Sequence, residues 1–369
     1  MGNPLRILHV VVNMNRGGAE TLIMNLYRNI DRSRVQFDFL TCKEGVFDTE
    51  IVKLGGIVHR IPYISEVGHF KYVKELNKFF TINNHYKVVH SHMDKMTGLV
   101  LREAKKAGIP IRISHSHNTS SEGGLASKVY KWYAGKFILP NTTNFFACSN
   151  YAAEWLFKNR SHAARILKNG IECDKFVFSQ GVREEVRKEL ELDKNVFILG
   201  HVGRFAHQKN HGFLINTFAE YHKINQDSVL ILVGDGPLRL EIEKQVVESN
   251  LKDKVIFMGI RSDIQRLLQA FDVFVFPSLH EGLPVSLIEA QGAGLPCIIS
   301  DNISHEVEIG SDLVEFIPLS DKSLWVEKIK GISSTNLRRR DFTNTIAKQG
   351  YDIRETAGNI EDFYLGISG

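Results

Sequence analysis

Short β-branched runs alternate along this chain with longer stretches in which apolar residues recur every three or four positions. In the first half the runs fall at 5–12, 35–40, 57–61, 87–90, 111–114 and 144–148, and each predicts a strand. Helical spacing between them covers 19–30, 72–83 and 98–107. The alternation then restarts, with strands predicted at 196–202, 228–233, 254–257, 273–276, 296–299 and 314–317. Helices fit 212–222, 239–249, 264–270 and 285–292. The strand runs are apolar at successive positions, as expected of parallel strands covered by helices on both faces. Strand–helix alternation of this kind defines an α/β protein, and two series of it predict two Rossmann-like lobes. The polar stretch 171–195, with a charged run at 183–191, reads as the junction. A last helical segment at 351–365 lies beyond the second sheet and is expected to fold back over the first lobe.

Bulk numbers change this picture little. A chain of 369 residues exceeds what one core usually serves, in keeping with two domains. Apolar content of 43% and charged content of 24% are those of a soluble globular protein. A net charge of +4 is too diffuse to argue for nucleic acid, but it suits phosphorylated ligands or an anionic membrane surface. Cys42, Cys148, Cys173 and Cys297 show neither metal nor redox spacing, so reduced thiols in the cytoplasm are expected. No apolar run approaches the roughly 18 residues a spanning helix needs, and the run at 7–12 is too short for a signal sequence.

Candidate chemistry gathers just after predicted strands, where open parallel sheets bind ligands. In 280–289 one glutamate, Glu281, lies in a Gly/Pro loop and a second, Glu289, lies in the helix that follows. Pro284 suits a first helical position, because the amide it lacks would be unpaired there. Amides at a helix start suit a phosphate, and a carboxylate one or two turns in can reach a sugar hydroxyl. The segment therefore reads as a handle for a nucleotide sugar. The loop 200–210 brings together Arg204 and Lys209, a guanidinium that grips phosphate oxygens in pairs and an ammonium that acts as a point charge. Together they would neutralise a leaving diphosphate; standing alone, the loop would read as a solvated basic turn. Gly17 and Gly18 follow the first strand and allow close backbone approach to a ligand, or simply a tight turn. The third glycine of a dinucleotide fingerprint is missing. Gly234-Asp235-Gly236-Pro237 either lines the nucleotide pocket or is a plain turn.

Two His-Ser-His triplets, His90 to His92 and His115 to His117, close predicted strands, and each offers two imidazoles to one side. Zinc is conceivable there, but no acidic or cysteine partner has matching spacing. Packing is expected for His90, His92 and His115, and a role at the site for His117. No Asp-x-Asp triplet occurs, which favours charge neutralisation by Arg204 and Lys209 over a divalent metal.

These residues resemble the retaining GT-B glycosyltransferases of family 4, most closely the bacterial capsular and exopolysaccharide members. The resemblance covers nearly the whole chain. It rests on Gly17-Gly18-Ala19-Glu20, Val202-Gly203-Arg204 with Lys209, Gly234-Asp235-Gly236, the segment 272–278, and Glu281-Gly282-Leu283-Pro284 through Glu289. It implies a GT-B fold, two Rossmann-like domains facing across a deep interdomain cleft. The acceptor domain would be 1–170, with 351–369 returning to it, and the donor domain 171–350. Lys168-Asn169-Gly170-Ile171 would be the crossing. The donor would be a nucleotide sugar, usually a UDP-sugar, with no cofactor and no metal. Arg204 and Lys209 would neutralise its diphosphate. Amides of Gly282, Leu283 and Pro284 would touch phosphate, Glu289 the ribose and Glu281 the sugar hydroxyls. Gly203 and Gly234 would line the donor pocket, and Gly17 and Gly18 would approach the donor phosphate or the acceptor. The family's strand-end histidine matches His117, with His115 as the alternative register.

A front-face transfer with retention is then expected, in which the protein positions substrates and stabilises phosphate charge. The acceptor would be a saccharide or a lipid-linked saccharide at the inner membrane face. Aromatic and basic residues at 70–78 and 128–136 suit peripheral contact with that surface, or else a helix packed on its own lobe. The alternatives are a UDP-sugar 2-epimerase and a catalytically silent scaffold of the same fold. Nucleic acid is not expected as a partner.

Overall fold

A computed structural model describes residues 3–121, 123–335 and 338–368. The expected domain spans also include residues 1, 2, 122, 336, 337 and 369, which lie outside the described residues. The chain divides into two compact units, one of residues 1–170 with 352–369 and the other of 171–351.

The first unit holds a sheet of seven strands: β1 (Leu5–Val10), β2 (Val35–Thr41), β3 (Val58–Arg60), β4 (Val88–Ser91), β5 (Ile111–Ser116), β6 (Asn144–Ala147) and β7 (Ala164–Ile166). Their order is β3-β2-β1-β4-β5-β6-β7, and every pairing is parallel. The second unit holds β8 (Phe197–Val202), β9 (Ser228–Val233), β10 (Val255–Gly259), β11 (Val273–Phe276), β12 (Cys297–Ser300) and β13 (Val314–Ile317). Their order is β10-β9-β8-β11-β12-β13, again all parallel. Both sheets are doubly wound Rossmann-like sheets, so the α/β reading of the strand pattern holds. In each sheet the order reverses once, between β1 and β4 and between β8 and β11.

Apolar runs became strands because both faces are covered. Leu230, Ile231 and Leu232 of β9 are all fully buried, as are Val273 to Phe276 of β11. The three-residue edge strand β7 was too short to register as a run.

The stretch read as a junction is instead structured. Gln180–Glu189 is a helix capped by the Ser179 side chain, packed on the helix Ile264–Ala270. Its charges serve the fold: Arg183 and Arg187 each donate to Asp272, at 2.5 and 2.7 Å. Arg183 also donates to the carbonyls of Gln269, Ala270 and Phe271, which that helix leaves free at its end. A charge run looks like a linker until its partners, some 85 residues away, are known.

The helix Ile353–Ser368 packs on the first unit, where Ile353, Ala357, Ile360, Phe363 and Tyr364 join the core formed by β1, β2 and the helix Gly18–Asn29. All four cysteines are buried and unbonded to one another.

Candidate active site

Two of the predicted site segments sit on the loops that flank the reversal between β8 and β11. A reversal of strand order opens a crevice at the carboxyl ends of the strands. Arg204 and Lys209 follow β8, and Glu281 follows β11. The loops are stitched together: Leu279 N donates to Gln208 O at 2.8 Å, and the Gln208 side chain donates to His280 O at 2.7 Å. Lys209 Nζ thereby reaches Glu281 Oε1 at 2.6 Å, with the two side chains only 15% and 9% exposed. The ammonium also lies 4.5 Å from the centre of the Phe276 ring, a cation–π contact the sequence reading missed. Arg204 is exposed, and no ion pair to it appears among the described residues.

Glycines allow this closeness. Gly234 has φ +134°, and a Cβ there would collide with the carbonyl oxygen of Gly203. One at Gly236 would come within 2.5 Å of Phe205 O. The Gly-Asp-Gly-Pro segment is therefore a packing surface for the loop that carries Arg204, whatever ligand contact it also makes.

Gly282, Leu283 and Pro284 are buried and lead into the helix Val285–Gly292. Pro284, expected at the first helical position, occupies the cap instead, with extended ψ of 108°. The first helical residue is Val285. Glu289 lies one turn in, partly buried. Burial pushes its carboxyl up to about 7, and no hydrogen bond or ion pair to it appears among the described residues.

Gly17, Gly18 and His117 belong to the first unit. Gly17 caps the helix Gly18–Asn29 in extended geometry. A Cβ there would collide with the Glu20 carboxylate, which folds back over the helix start. An anion already lies at this end, where it favours the helix dipole; around Gly18 there is open space.

The two candidate histidines at the end of β5 differ in burial. His115 is fully buried within β5, whereas His117 is the first residue past the strand end and only partly buried. Five imidazoles, not four, share this face of the sheet. His9 of β1 pairs in register with His90, a member invisible to motif spacing because it stands alone in its strand. His9 Nδ1 lies 3.0 Å from His92 Nε2, and His92 Nδ1 lies 2.8 Å from His117 Nε2. His90 bonds Tyr364 and His115 at 2.7 and 3.2 Å. Two triplets, His9/His90/His92 and His92/His115/His117, hold nitrogens within 4.8 Å of one another. Their nitrogens face each other in pairs at hydrogen-bond distance, which is the geometry of neutral imidazoles bonded together.

Comparison with known proteins places this architecture. The family profile "Glycosyltransferase Family 4" matches residues 16–175, and "Glycosyl transferases group 1" matches residues 182–349. EpsF of Bacillus subtilis (strain 168) is 39% identical over 97% of this chain and 96% of its own length. The UDP-Gal:alpha-D-GlcNAc-diphosphoundecaprenol alpha-1,3-galactosyltransferase of Escherichia coli is 28% identical over 98% and 97%. Among solved structures, Anabaena Alr3699/HepE in complex with UDP and glucose superposes with a TM-score of 0.78 at 20% identity, covering 98% of this chain and 99% of that one. The protein is a glycosyltransferase of the GT-B fold. It belongs to glycosyltransferase family 4, the group 1 glycosyl transferases.

Proposed function

We propose that this chain transfers a sugar, with retention at the anomeric carbon, from a UDP-sugar to a lipid-linked or other saccharide acceptor in capsular or exopolysaccharide assembly. The observation that carries this is the Lys209–Glu281 pair at 2.6 Å, set on the two loops beside the strand reversal with Arg204 exposed next to it. The cations would hold the diphosphate and Glu281 the sugar hydroxyls, while Glu289 would accept from the ribose. The bond from the anomeric carbon to the leaving phosphate oxygen breaks. The acceptor oxygen bonds that carbon on the same face, and its proton passes to the departing phosphate. The protein's part is placement and charge stabilisation, which requires no metal. The names of the Escherichia coli relative and of the Anabaena complex, with UDP-galactose, a diphosphoundecaprenol acceptor, UDP and glucose, support this donor and acceptor class.

No helix among the described residues is long and apolar enough to cross a membrane, so contact with a lipid-linked acceptor would be peripheral, at the cytoplasmic face. The helix Leu125–Gly135 supports such contact. Ala134 is its one buried residue, while Leu125 and Trp132 are 81% and 54% exposed. Lys136 lies 3.7 Å over the Trp132 ring.

Thermal shifts with UDP, GDP, ADP and their common sugars, with and without EDTA, test the donor. Stabilisation by UDP compounds that survives EDTA is expected. Product analysis then separates the activities: conversion of the donor without acceptor would identify an epimerase, and no nucleotide binding would indicate a silent scaffold.

A further inference from the structure

A cavity of about 440 Å³ opens at the amino ends of β8, β11 and β12, where Phe197, Asp272 and Pro296 line it. The strands of this sheet all run parallel, so the cavity lies at the opposite end of the second unit's sheet from Arg204 and Glu281. Its volume is that of a small-ligand site. Among the described residues that line it, Asp272 is the one acid, against Arg183, Arg338 and Arg339.

The charge around Asp272 does not balance. Arg183 and Arg187 each donate to one of its oxygens, at 2.5 and 2.7 Å, and the Ile198 amide donates to it at 2.7 Å. The two arginine side chains are 18% and 5% exposed. Arg339 comes to the same place without a carboxylate of its own. It donates to Leu268 O at 3.1 Å and to Phe271 O, at the end of the helix Ile264–Ala270 that Arg183 also caps. Its guanidinium lies 4.7 Å from the centre of the Phe178 ring. Against three guanidiniums stand one carboxylate and about half a charge from the helix end. Carbonyls accept hydrogen bonds but carry no net charge, and a buried cation without a counter-charge is costly. Burial first, and the charge of Arg183 after it, push the Arg339 guanidinium down to about 9, which leaves it charged at pH 7. Exposed Arg338 adds a cation at the rim, and Phe178, Phe197 and Ile332 supply an apolar wall.

We propose that this cavity binds a small organic phosphate, with the phosphate against Arg338 and Arg339 and the apolar part against Phe178, Phe197 and Ile332. A guanidinium fork matches two phosphate oxygens at once. The anion supplies the counter-charge that Asp272, already shared by two arginines, does not. The site is separate from the one assigned to the nucleotide sugar and does not depend on that assignment.

Isothermal titration of phenyl phosphate, inorganic phosphate and phenol into the full chain tests it. The titrations are run with excess UDP and again in Arg204→Ala, because binding that survives both is not at the donor site. Phenyl phosphate is expected to bind at one site, more tightly than inorganic phosphate, and phenol not at all. Arg338→Ala alters an exposed side chain and is expected to weaken phenyl phosphate at least about tenfold, the size of one lost charge-assisted hydrogen bond. Ser333→Trp, at the end of the helix Lys322–Ser333, is expected to fill the cavity and abolish binding. Melting temperature and UDP binding should be unchanged in Arg338→Ala. Absence of binding by either phosphate overturns the site, as does an affinity for phenyl phosphate that Arg338→Ala leaves intact, even if Ser333→Trp failed to fold. Inorganic phosphate binding as tightly as phenyl phosphate overturns the apolar contact.

Discussion

Lys209 would answer to two anions in this site, the Glu281 carboxylate at 2.6 Å and the incoming diphosphate. Arg204 has no such structural duty, being exposed. The two cations should therefore respond differently to removal. Arg204→Ala is expected to lower kcat/KM by on the order of 10²–10³, the size of one lost charge-stabilising contact, with an unchanged melting temperature. Lys209→Ala should lose as much activity and also melt earlier, because it removes the 2.6 Å ion pair to the largely buried Glu281. Steady-state kinetics and calorimetry on both variants check this, and full activity in Arg204→Ala would remove it from the site. Glu289 adds a pH dependence. Its carboxyl, pushed up to about 7 by burial, must ionise to accept from two ribose hydroxyls. UDP affinity should therefore fall as pH drops through about 7, and Glu289→Gln should bind weakly with a flatter profile. Stability runs the opposite way. A carboxyl raised from 4.5 favours the fold at low pH and loses that contribution as pH rises through about 7. Glu289→Gln should thus melt higher than the parent at pH 8 but not at pH 4. The strand-end positions of Arg204, Lys209 and Glu281 were legible in the sequence because each follows an unmistakable apolar strand. His9 was not, since one histidine inside such a run carries no pattern.

At the scale of elements, legibility followed length and burial. Parallel strands buried on both faces announced themselves, whereas the helix Gln180–Glu189 hid behind charges whose partners, Asp272 and the carbonyls near it, lie on the far side of the unit's sequence. The loop after β8 depends on the turn after β9. Gly234→Ala puts a Cβ against the Gly203 carbonyl at a φ of +134°, which L residues rarely adopt. A loss of about 2–4 kcal/mol is expected from strain and overpacking together, with UDP binding weakened because the Arg204 loop must shift. Denaturant titration with and without UDP measures both effects. The helix Leu125–Gly135 makes a separate claim. It leaves Leu125, Val129, Trp132 and Tyr133 exposed beside Lys128 and Lys136, the pairing of bulky apolar and cationic groups that suits an anionic interface. Binding to vesicles containing phosphatidylglycerol is expected to fall when Trp132 and Leu125 are changed to Glu, and to weaken with salt. Equal sedimentation of parent and variant with such vesicles would return the helix to an ordinary surface role.

For the whole molecule, the chain path itself makes a prediction. The second unit is one continuous segment, 171–351, inserted into a first unit completed only by 352–369. The two should therefore differ in autonomy. The core of the second unit, built around Leu199, Phe218, Leu230, Val273, Ile298 and Trp325, draws on no residue outside that segment. Arg204, Lys209, Glu281 and Glu289 all lie within it as well. A polypeptide of residues 171–351 is expected to fold cooperatively and to bind UDP, because the contacts assigned to the nucleotide are local to this unit. Residues 1–170 alone should not fold. They lack Ile353, Ala357, Ile360, Phe363 and Tyr364, which the last helix contributes to the first core, and they leave His90 without the Tyr364 hydroxyl 2.7 Å away. Supplying 352–369 as a separate peptide should restore some of that stability by mass action, in proportion to its concentration. Calorimetry of each piece, and UDP titration of 171–351, decide the matter. A second unit that folds but ignores UDP would mean that Arg204, Lys209, Glu281 and Glu289 do not suffice to hold the nucleotide. A first unit that folds without its last helix would mean that the helix is an addition to the core and not a part of it.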